Sequence, residues 1–395
     1  MVVIFRKKLW YRVWLLCIRE ARILASRPLY LFGMIIAPLF TALFFLTLMG
    51  KGLPQDLPIA VVDNDNSAVS RRVVRQLDAF KQTKVAMKYA NFQDARRAMQ
   101  EGDVYAIFYI PDNFEKDVMA SRQPKFSFYM NNSYLIAGSL LYRDLRTISV
   151  LGSAAVAKEF KTARGQTEDQ AMTELQPIGV DTHLIGNPLT NYSVYLCNLI
   201  IPGVYNIVIM LLTIYALGNE LKRNTSRVLL RMSNNKMFVA LFAKMFPHTL
   251  IYCTVITLID VILYKFMQFP CAVGVGSMLA ASYSLIIASQ SLAIFLFGLL
   301  PIMRLSLSAA SLISVVSLSI SGFTFPVSEM HYVLQCWSNF FPLRHFFLLY
   351  VDQALNGLGF EYTWHIYLAL ALFLFLPLIV MKSIKRVYLT YKYIP

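Results

Sequence analysis

The chain has 395 residues, of which 57% are hydrophobic and 15% are charged, and its formal net charge is +15. These proportions are typical of a membrane protein with several spans and argue against a soluble globular domain. They also argue against a nucleic-acid-binding protein, because the positive charge lies in short segments beside apolar runs and not on a folded domain.

Residues 1–27 predict an amphipathic helix that lies in the inner headgroup region of the membrane. Leu9, Val13 and Leu16 recur at near-helical spacing, and two tryptophans stand beside them. The cations of this segment are opposed by one acid, Glu20, and are expected to lie toward anionic lipid. They are Arg6, Lys7, Lys8, Arg12, Arg19, Arg22 and Arg27.

Residues 28–49 form a long apolar run that predicts the first transmembrane helix. A secretory signal peptide is the rival interpretation. The run is longer than the apolar core of such a peptide, however, and no A-x-A-like cleavage site follows it. The cations before the run favour a cytoplasmic N-terminus, since short basic segments resist translocation.

Residues 50–188 predict a folded α/β domain inserted between the first and second transmembrane helices. Hydropathy falls here, and 17 basic residues are balanced by 16 acidic ones between Lys51 and Pro188. A segment of this size can bury its own core, and its lack of basic bias permits translocation, so we expect an extracytoplasmic domain. The pattern predicts strands at 58–63, 84–89, 104–110, 125–130 and 176–185, and helices at 64–77, 92–100, 111–120 and 135–161.

Residues 189–395 predict a transmembrane region of five further helices. Pro301 and Arg304 divide an apolar run that is too long for one crossing of a ~30 Å hydrocarbon core. The predicted fold class is therefore a polytopic α-helical membrane protein with six transmembrane helices and an extracytoplasmic α/β domain. The five helices are expected near 192–217, 238–266, 272–300, 305–321 and 364–381.

Residues 322–358 are apolar but interrupted by polar residues and prolines. Their many aromatic side chains are typical of helices that lie at, or re-enter, the membrane interface. We therefore predict an outer interfacial hairpin. Its candidate functional residues are Gly322, Pro326, Glu329 and Pro342.

The hairpin between the second and third spans, residues 218–237, is the most basic short loop of the chain. Five cations oppose a single acid, Glu220, and this charge favours a cytoplasmic position. Thr225 or Ser226 can cap a short helix there. If Leu229 or Leu230 faces outward beside the arginines, the hairpin offers a docking surface for a cytoplasmic partner. The alternative is a solvated turn that only reports topology.

Motifs for catalysis and cofactor binding are missing from the sequence. There is no G-x-x-x-x-G-K-[ST] loop for ATP, no H-E-x-x-H and no G-x-S-x-G motif, and the cysteines show no C-x-x-C spacing. We therefore expect no directly bound cofactor, no metal site and no catalytic residues. A disulfide between Cys271 and Cys336 stays open as a less favoured alternative.

Several polar residues fall within the predicted spans, where a charge costs at least ~2.5–3.5 kcal/mol at mid-depth. Asp260 is either an interfacial acid paired with Lys265 or part of a transport pathway. Lys244 is expected to extend toward the cytoplasmic surface. The remaining candidates either line a pathway or join helices by hydrogen bonds, the second being favoured. They are Asn198, Asn206 and Gln290.

The layout of one span, a large insert and five further spans resembles ABC type-2 exporter permeases with an extracytoplasmic insert, such as bacterial multidrug-efflux-type permeases. Local matches are Ile-Ala-Val-Val-Asp-Asn-Asp-Asn-Ser at 59–67, Ile201-Pro202-Gly203, Glu220 with Thr225 and Leu229-Leu230, Lys244 with Pro247, Ser321-Gly322 with Phe325-Pro326, and Phe341-Pro342-Leu343. Two departures are Asn224 and Ala243, which stand where the family commonly has glycine.

The resemblance implies the permease subunit of an ATP-driven exporter for an amphiphilic or hydrophobic substrate, whether drug-like, lipid or glycan. The implied partners are a cytoplasmic ABC ATPase that carries ATP and Mg²⁺, a second permease copy or paralogue, membrane lipid and, as a further candidate, a periplasmic adaptor. The implied location is a bacterial inner membrane with both termini cytoplasmic. Residues implied in coupling to the ATPase are Glu220, Thr225, Arg227, Leu229, Leu230 and Arg231.

Two rival functions share this layout. One is a membrane scaffold or sensor that uses the insert as a ligand-binding domain, and the other is a membrane protein of a secretion apparatus. Neither has an ATPase partner, so a neighbouring gene for an ATPase would discriminate between them and the exporter.

Overall fold

A computed structural model of the protein describes residues 9–120, 122, 125–163, 167, 169–170, 186–187 and 191–390. The chain forms two compact units. One comprises Met1–Gly50 with Leu184–Pro395, and the other is the insert Lys51–His183.

Within its described residues, the insert contains a four-stranded sheet in the order β2-β1-β3-β4, in which the first three strands are parallel and the fourth is antiparallel to β3. Strands buried on both faces read as continuous apolar runs, and β1 buries its residues from Ile59 to Val62 in this way. The strands are β1 (Leu57–Asp63), β2 (Thr83–Tyr89), β3 (Ala106–Ile110) and β4 (Ser127–Met130).

In the part of the insert that the structure describes, helices accompany the sheet at Ala68–Asp78, Phe92–Glu101, Phe114–Met119 and Leu135–Ala163. The first begins after Ser67, whose hydroxyl accepts a hydrogen bond from the Ser70 N–H at 3.0 Å. Four predicted strands and four predicted helices are thus confirmed within a few residues, because each depends on local periodicity and caps. The predicted strand at 176–185 lies outside the described residues.

The long helix Leu135–Ala163 corrects one detail of the prediction. The spacing of apolar residues in the sequence predicts that Leu141, Leu145, Ile148 and Leu151 share one buried face; the first three are buried, but Leu151 is 55% exposed. The apolar stripe that faces the insert core therefore ends one turn earlier than the sequence pattern predicts.

In the other unit, six helices of the described chain are long and apolar enough to cross a membrane, which confirms the predicted number. They are the first span (Pro28–Leu48), second span (Tyr192–Lys222), third span (Met237–Phe266), fourth span (Val275–Leu299), fifth span (Met303–Ile320) and sixth span (Phe360–Thr390). Shorter helices are Leu9–Ala25, Ser226–Met232, Tyr332–Ser338 and Pro342–Leu349.

The second and fourth spans form the centre of this unit. In the most apolar window of each, 67% of residues are buried, against 22% for the first and sixth spans. Gly203, in the second span, permits a close approach to the fifth span, because a β-carbon at this position would collide with the Leu318 side chain. Central helices must pack on several sides, which explains why their polar residues meet partners and not lipid.

The N-terminal helix Leu9–Ala25, called the interfacial helix below, differs from its prediction. Its buried face consists of Arg12, Leu16, Glu20 and Leu24, at a spacing of four residues. The expectation that all its cations lie toward lipid is therefore wrong for Arg12. The predicted part before Leu9 lies outside the described residues.

All five cysteines are free thiols, so the alternative of a Cys271–Cys336 disulfide is wrong. Cys197 is buried and Cys336 is exposed. Cysteines within the spans therefore act as small apolar side chains.

Candidate coupling site

The basic hairpin, residues 218–237, folds into the short helix Ser226–Met232 between two tight turns. Asn224 precedes the helix with φ of +56°, and Asn234 and Asn235 follow it with φ of +58° and +63°. Asparagine tolerates this left-handed conformation better than other non-glycine residues. Asn224 therefore adopts left-handed backbone geometry at a position where the resemblance given above implies glycine.

Thr225 occupies the N-cap position of the short helix, but its side chain does not cap the helix. Its hydroxyl instead donates a 2.6 Å hydrogen bond to Oε2 of Glu220, and its N–H donates to the Glu220 carbonyl oxygen at 2.9 Å. The hairpin is thus bound to the end of the second span through both side chain and backbone.

The two leucines of the hairpin face inward. Leu229 and Leu230 are 0% and 1% exposed and belong to the core between the spans. The prediction that one of them faces outward is wrong, because a seven-residue helix lying across the helix ends must bury its apolar side. The exposed side carries Arg227, Val228 and Arg231, of which Val228 is 48% exposed. We call these three residues the docking face.

The hairpin also contacts the end of the sixth span. The Ser226 hydroxyl donates to the Tyr388 carbonyl at 2.9 Å, and Arg227 Nη2 donates to the Leu389 carbonyl at 3.0 Å. The Tyr388 hydroxyl in turn donates to the Leu217 carbonyl of the second span at 3.0 Å.

A surface cavity of about 320 Å³ opens beside the hairpin. It is lined by Arg227, Leu230, Arg231, Asn234, Asn235 and Leu389.

Glu220 belongs to a buried cluster of two acids and two bases, which we call the four-charge cluster: Arg19, Glu20, Glu220 and Lys244. Arg19 Nη2 lies 3.0 and 2.9 Å from the two Glu220 oxygens, and Arg19 Nη1 lies 2.9 Å from Glu20 Oε1. Lys244 Nζ lies 2.9 Å from both Glu20 Oε1 and Glu220 Oε1. Every carboxylate contacts both cations, and the formal charges of the cluster sum to zero.

Burial makes this cluster sensitive to any change in charge. Glu20, Glu220 and Lys244 are 1%, 3% and 2% exposed. Charges removed from water are tolerated when each has opposite charges and hydrogen bonds around it, whereas loss of one partner leaves an uncompensated buried charge. The alternation of signs is therefore what permits four ionised groups in this core.

The sequence pattern singled out Glu220 and Lys244 as unusual charges, gave Lys244 and Arg19 the wrong surroundings, and assigned no role to Glu20. Lys244 does not extend to the surface as predicted, because Glu20 and Glu220 hold its ammonium inside. Arg19 does not face lipid, because its Nη2 donates to both carboxylate oxygens of Glu220. The spacing of residues could have identified Glu20. It lies on the same helical face as Leu16 and Leu24, so the sequence pattern places an acid among the buried residues of this helix.

Comparison with known proteins identifies the family. Residues 28–381 match the protein family described as "ABC-2 family transporter protein". The chain belongs to this family. In the other two comparisons, no curated protein and no solved structure matched. The resemblance to ABC type-2 permeases is thereby confirmed, and the protein is a multi-pass membrane component of an ABC transporter.

Three amide side chains of this ABC-2 permease, all candidates for a pathway, form hydrogen bonds between spans. Asn198 Oδ1 accepts from the Tyr264 hydroxyl at 2.8 Å. Asn206 Oδ1 accepts from the Ser289 hydroxyl at 2.6 Å. Gln290 Oε1 accepts from the Thr249 hydroxyl at 2.7 Å. Each bond has the geometry of the helix-joining alternative, and a role in transport stays a prediction.

Asp260 is 3% exposed and takes part in no ion pair among the described residues. Lys265, its predicted partner, is exposed. The pairing is therefore wrong, since the π-helical turn Ile262–Phe266 directs the lysine to the surface of the unit.

In this ABC-2 permease, the candidate residues of the segment 322–358 occupy turns and helix starts. Gly322 has φ of +95°, and the Arg344 guanidinium fills the space where a β-carbon would lie. Arg344 Nη1 donates to the Ser321 carbonyl at 2.7 Å. Pro326 precedes the turn Val327–Glu329, which contains Glu329, and Pro342 begins the helix Pro342–Leu349.

Proposed function

We propose that this chain is the permease subunit of an ATP-driven exporter that moves an amphiphilic or hydrophobic substrate out of the cytoplasm or the inner leaflet. A separate ABC ATPase would hydrolyse ATP and dock on the basic hairpin. The observation that supports this most is the construction of the hairpin, whose docking face is exposed while Thr225, Leu229 and Leu230 tie it to the helix bundle.

The contacts of the hairpin explain how movement of a docked ATPase would reach the spans. The short helix is held by buried leucines, by Ser226 on the sixth span and by Thr225 on Glu220. Glu220 is held in turn by the interfacial helix and the third span through Arg19 and Lys244. Close-packed elements move as units and do not deform gradually, so a displaced hairpin would carry these helices with it.

The remaining arrangement is proposed from charge. The basic hairpin and both termini would lie in the cytoplasm, the insert and residues 322–358 would lie outside, and the membrane would be the bacterial inner membrane. A second permease copy or a paralogue would complete the route, and a periplasmic adaptor is a candidate partner of the insert.

A labelling experiment tests the orientation. Single cysteines at Asp112 and Gly357 should react with an impermeant thiol reagent applied outside whole cells, whereas a cysteine at Asn235 should react only after the membrane is opened. The background protein carries serine at the five native cysteines. Reaction of all three positions from one side contradicts the proposed topology.

A docking experiment tests the partner. An ABC ATPase produced in the same cells should co-purify with the permease. Arg231→Glu should weaken this association more strongly as the salt concentration falls, since exposed charges are screened over about 8–10 Å at ordinary ionic strength. Arg304→Glu, an exposed cation outside the hairpin, is the matched control. Equal binding by both variants would exclude the docking face, and failure to recover any ATPase would favour the scaffold or secretion functions.

A further inference from the structure

An open groove of about 440 Å³ lies between the third, fourth and sixth spans, in the half of the bundle nearest the basic hairpin. Fourteen side chains of the described chain line it, and none of these is charged. Phe238, Phe242 and Phe246 form one wall and are 59%, 51% and 43% exposed. We call this feature the aromatic groove.

The phenylalanine wall is built from one face of the third span. The three rings stand four residues apart and stack on one another, with centroids 6.4 and 5.8 Å apart. An exposed apolar wall is ordinary for a helix in lipid, so it does not by itself indicate a ligand.

The floor of the aromatic groove is unusual because it contains the Thr249–Gln290 pair. The Thr249 hydroxyl lies 2.7 Å from Gln290 Oε1 and 3.0 Å from the Met245 carbonyl. Whichever way the amide is turned, this hydroxyl can bond only one of its ends. The other end, Nε2, is buried and has no partner among the described residues.

An unpartnered amide at this place is costly, because hydrocarbon offers it no hydrogen bond. Gln290 lies nine residues before the end of the fourth span at Leu299, which corresponds to about 14 Å along the helix axis. That distance is close to half of a ~30 Å hydrocarbon core. The ester groups of an ordinary lipid lie near the membrane surface, so they do not reach this depth.

We propose that the aromatic groove admits from the membrane an uncharged amphiphile whose apolar body lies on the phenylalanine wall and whose hydroxyl, carbonyl or amide group bonds to the Thr249–Gln290 pair. The volume is within the range of small-molecule pockets, about 300–1,000 Å³. A helix about 10 Å wide from a second copy would not fit such a groove. The uncharged lining disfavours an ionised ligand. The role of the groove as an entry site for exported molecules rests on the proposed function.

Photolabelling of the full-length permease in lipid nanodiscs tests the site without any ATPase. The probes are a diazirine-bearing hexadecane with a hydroxyl at carbon 8 and the same molecule without the hydroxyl. We expect the alcohol to label peptides of the groove about threefold to tenfold more, the preference that one net hydrogen bond confers. Gln290→Leu combined with Thr249→Val should abolish this preference while leaving the alkane labelling unchanged.

Two further variants guard against a folding artefact. Leu378→Trp, which fills the groove, should lower labelling by both probes. Leu258→Trp, at an exposed apolar position of the third span outside the groove, should leave labelling unchanged. Equal labelling by the two probes in the unaltered protein, or a preference that survives removal of the polar pair, overturns the proposal.

The outcome is separable from that of the proposed function. Alcohol-specific labelling in a permease that recruits no ATPase would support the site and contradict the exporter. Recruitment of an ATPase with equal labelling by the two probes would support the exporter and overturn the site.

Discussion

The four-charge cluster predicts a specific pattern of charge dependence. Lys244→Met removes the cation that lies 2.9 Å from both Glu20 and Glu220, and leaves Arg19 facing two buried carboxylates. Because one charge then lacks compensation, we expect the free energy of unfolding to fall by about 3–5 kcal/mol. Adding Glu20→Gln makes the cluster neutral again and keeps the contact of Arg19 Nη2 with both Glu220 oxygens. The double variant should therefore be more stable than Lys244→Met alone.

The measurement is a double-mutant cycle on purified protein, with unfolding followed by circular dichroism during titration with sodium dodecyl sulfate. The coupling between the two substitutions should exceed the ~0.3–0.5 kcal/mol within which independent sites are additive. Lys265→Met, which changes an exposed lysine at the end of the same span, serves as the control and should have little effect. If Glu20→Gln instead lowers the stability of Lys244→Met further, or if Lys244→Met behaves like Lys265→Met, then the cluster is hydrated and the argument from burial is wrong.

Three other predictions follow from packing and burial. The double variant Leu229→Ser, Leu230→Ser should destabilise the permease itself, by at least the ~1.5–3 kcal/mol lost per leucine, whereas Val228→Ser should leave its free energy of unfolding unchanged. Equal stability of the double variant and Val228→Ser would contradict the burial of the leucines. Gly322→Ala should lower the thermal midpoint because the backbone is left-handed and Arg344 occupies the β-carbon position, while Gly359→Ala, with open space, should not. A fragment of residues 51–183 should melt cooperatively. In this fragment Asp144→Asn should raise the melting temperature at pH 7, because burial raises the pKa of Asp144 against the opposing effects of Thr83 and Arg143. The gain should disappear at a pH below the ordinary range of aspartate, where the carboxyl is neutral in the folded and the unfolded state, and a gain that persists there would contradict this explanation.

Much of the fold could be predicted because it depends on neighbours in sequence. Six spans follow from runs of apolar residues, and the elements of the insert follow from periodicity and caps such as Ser67. The candidate site was predictable only in part. Glu220 and Lys244 were selected as unusual charges near the membrane, but their partners could not be chosen, since Arg19 lies 201 residues from Glu220 along the chain.

The sequence alone determined where apolar segments long enough to cross a membrane lie and that the hairpin is basic, because hydropathy and charge are properties of local composition. Only the tertiary structure decided that Leu229 and Leu230 are buried, that Lys244 is paired inside the bundle and that one end of the Gln290 amide has no partner among the residues described. These outcomes depend on which faces of distant helices meet. In a core without water, these helix contacts decide whether a polar group has a hydrogen-bond partner or is exposed to hydrocarbon.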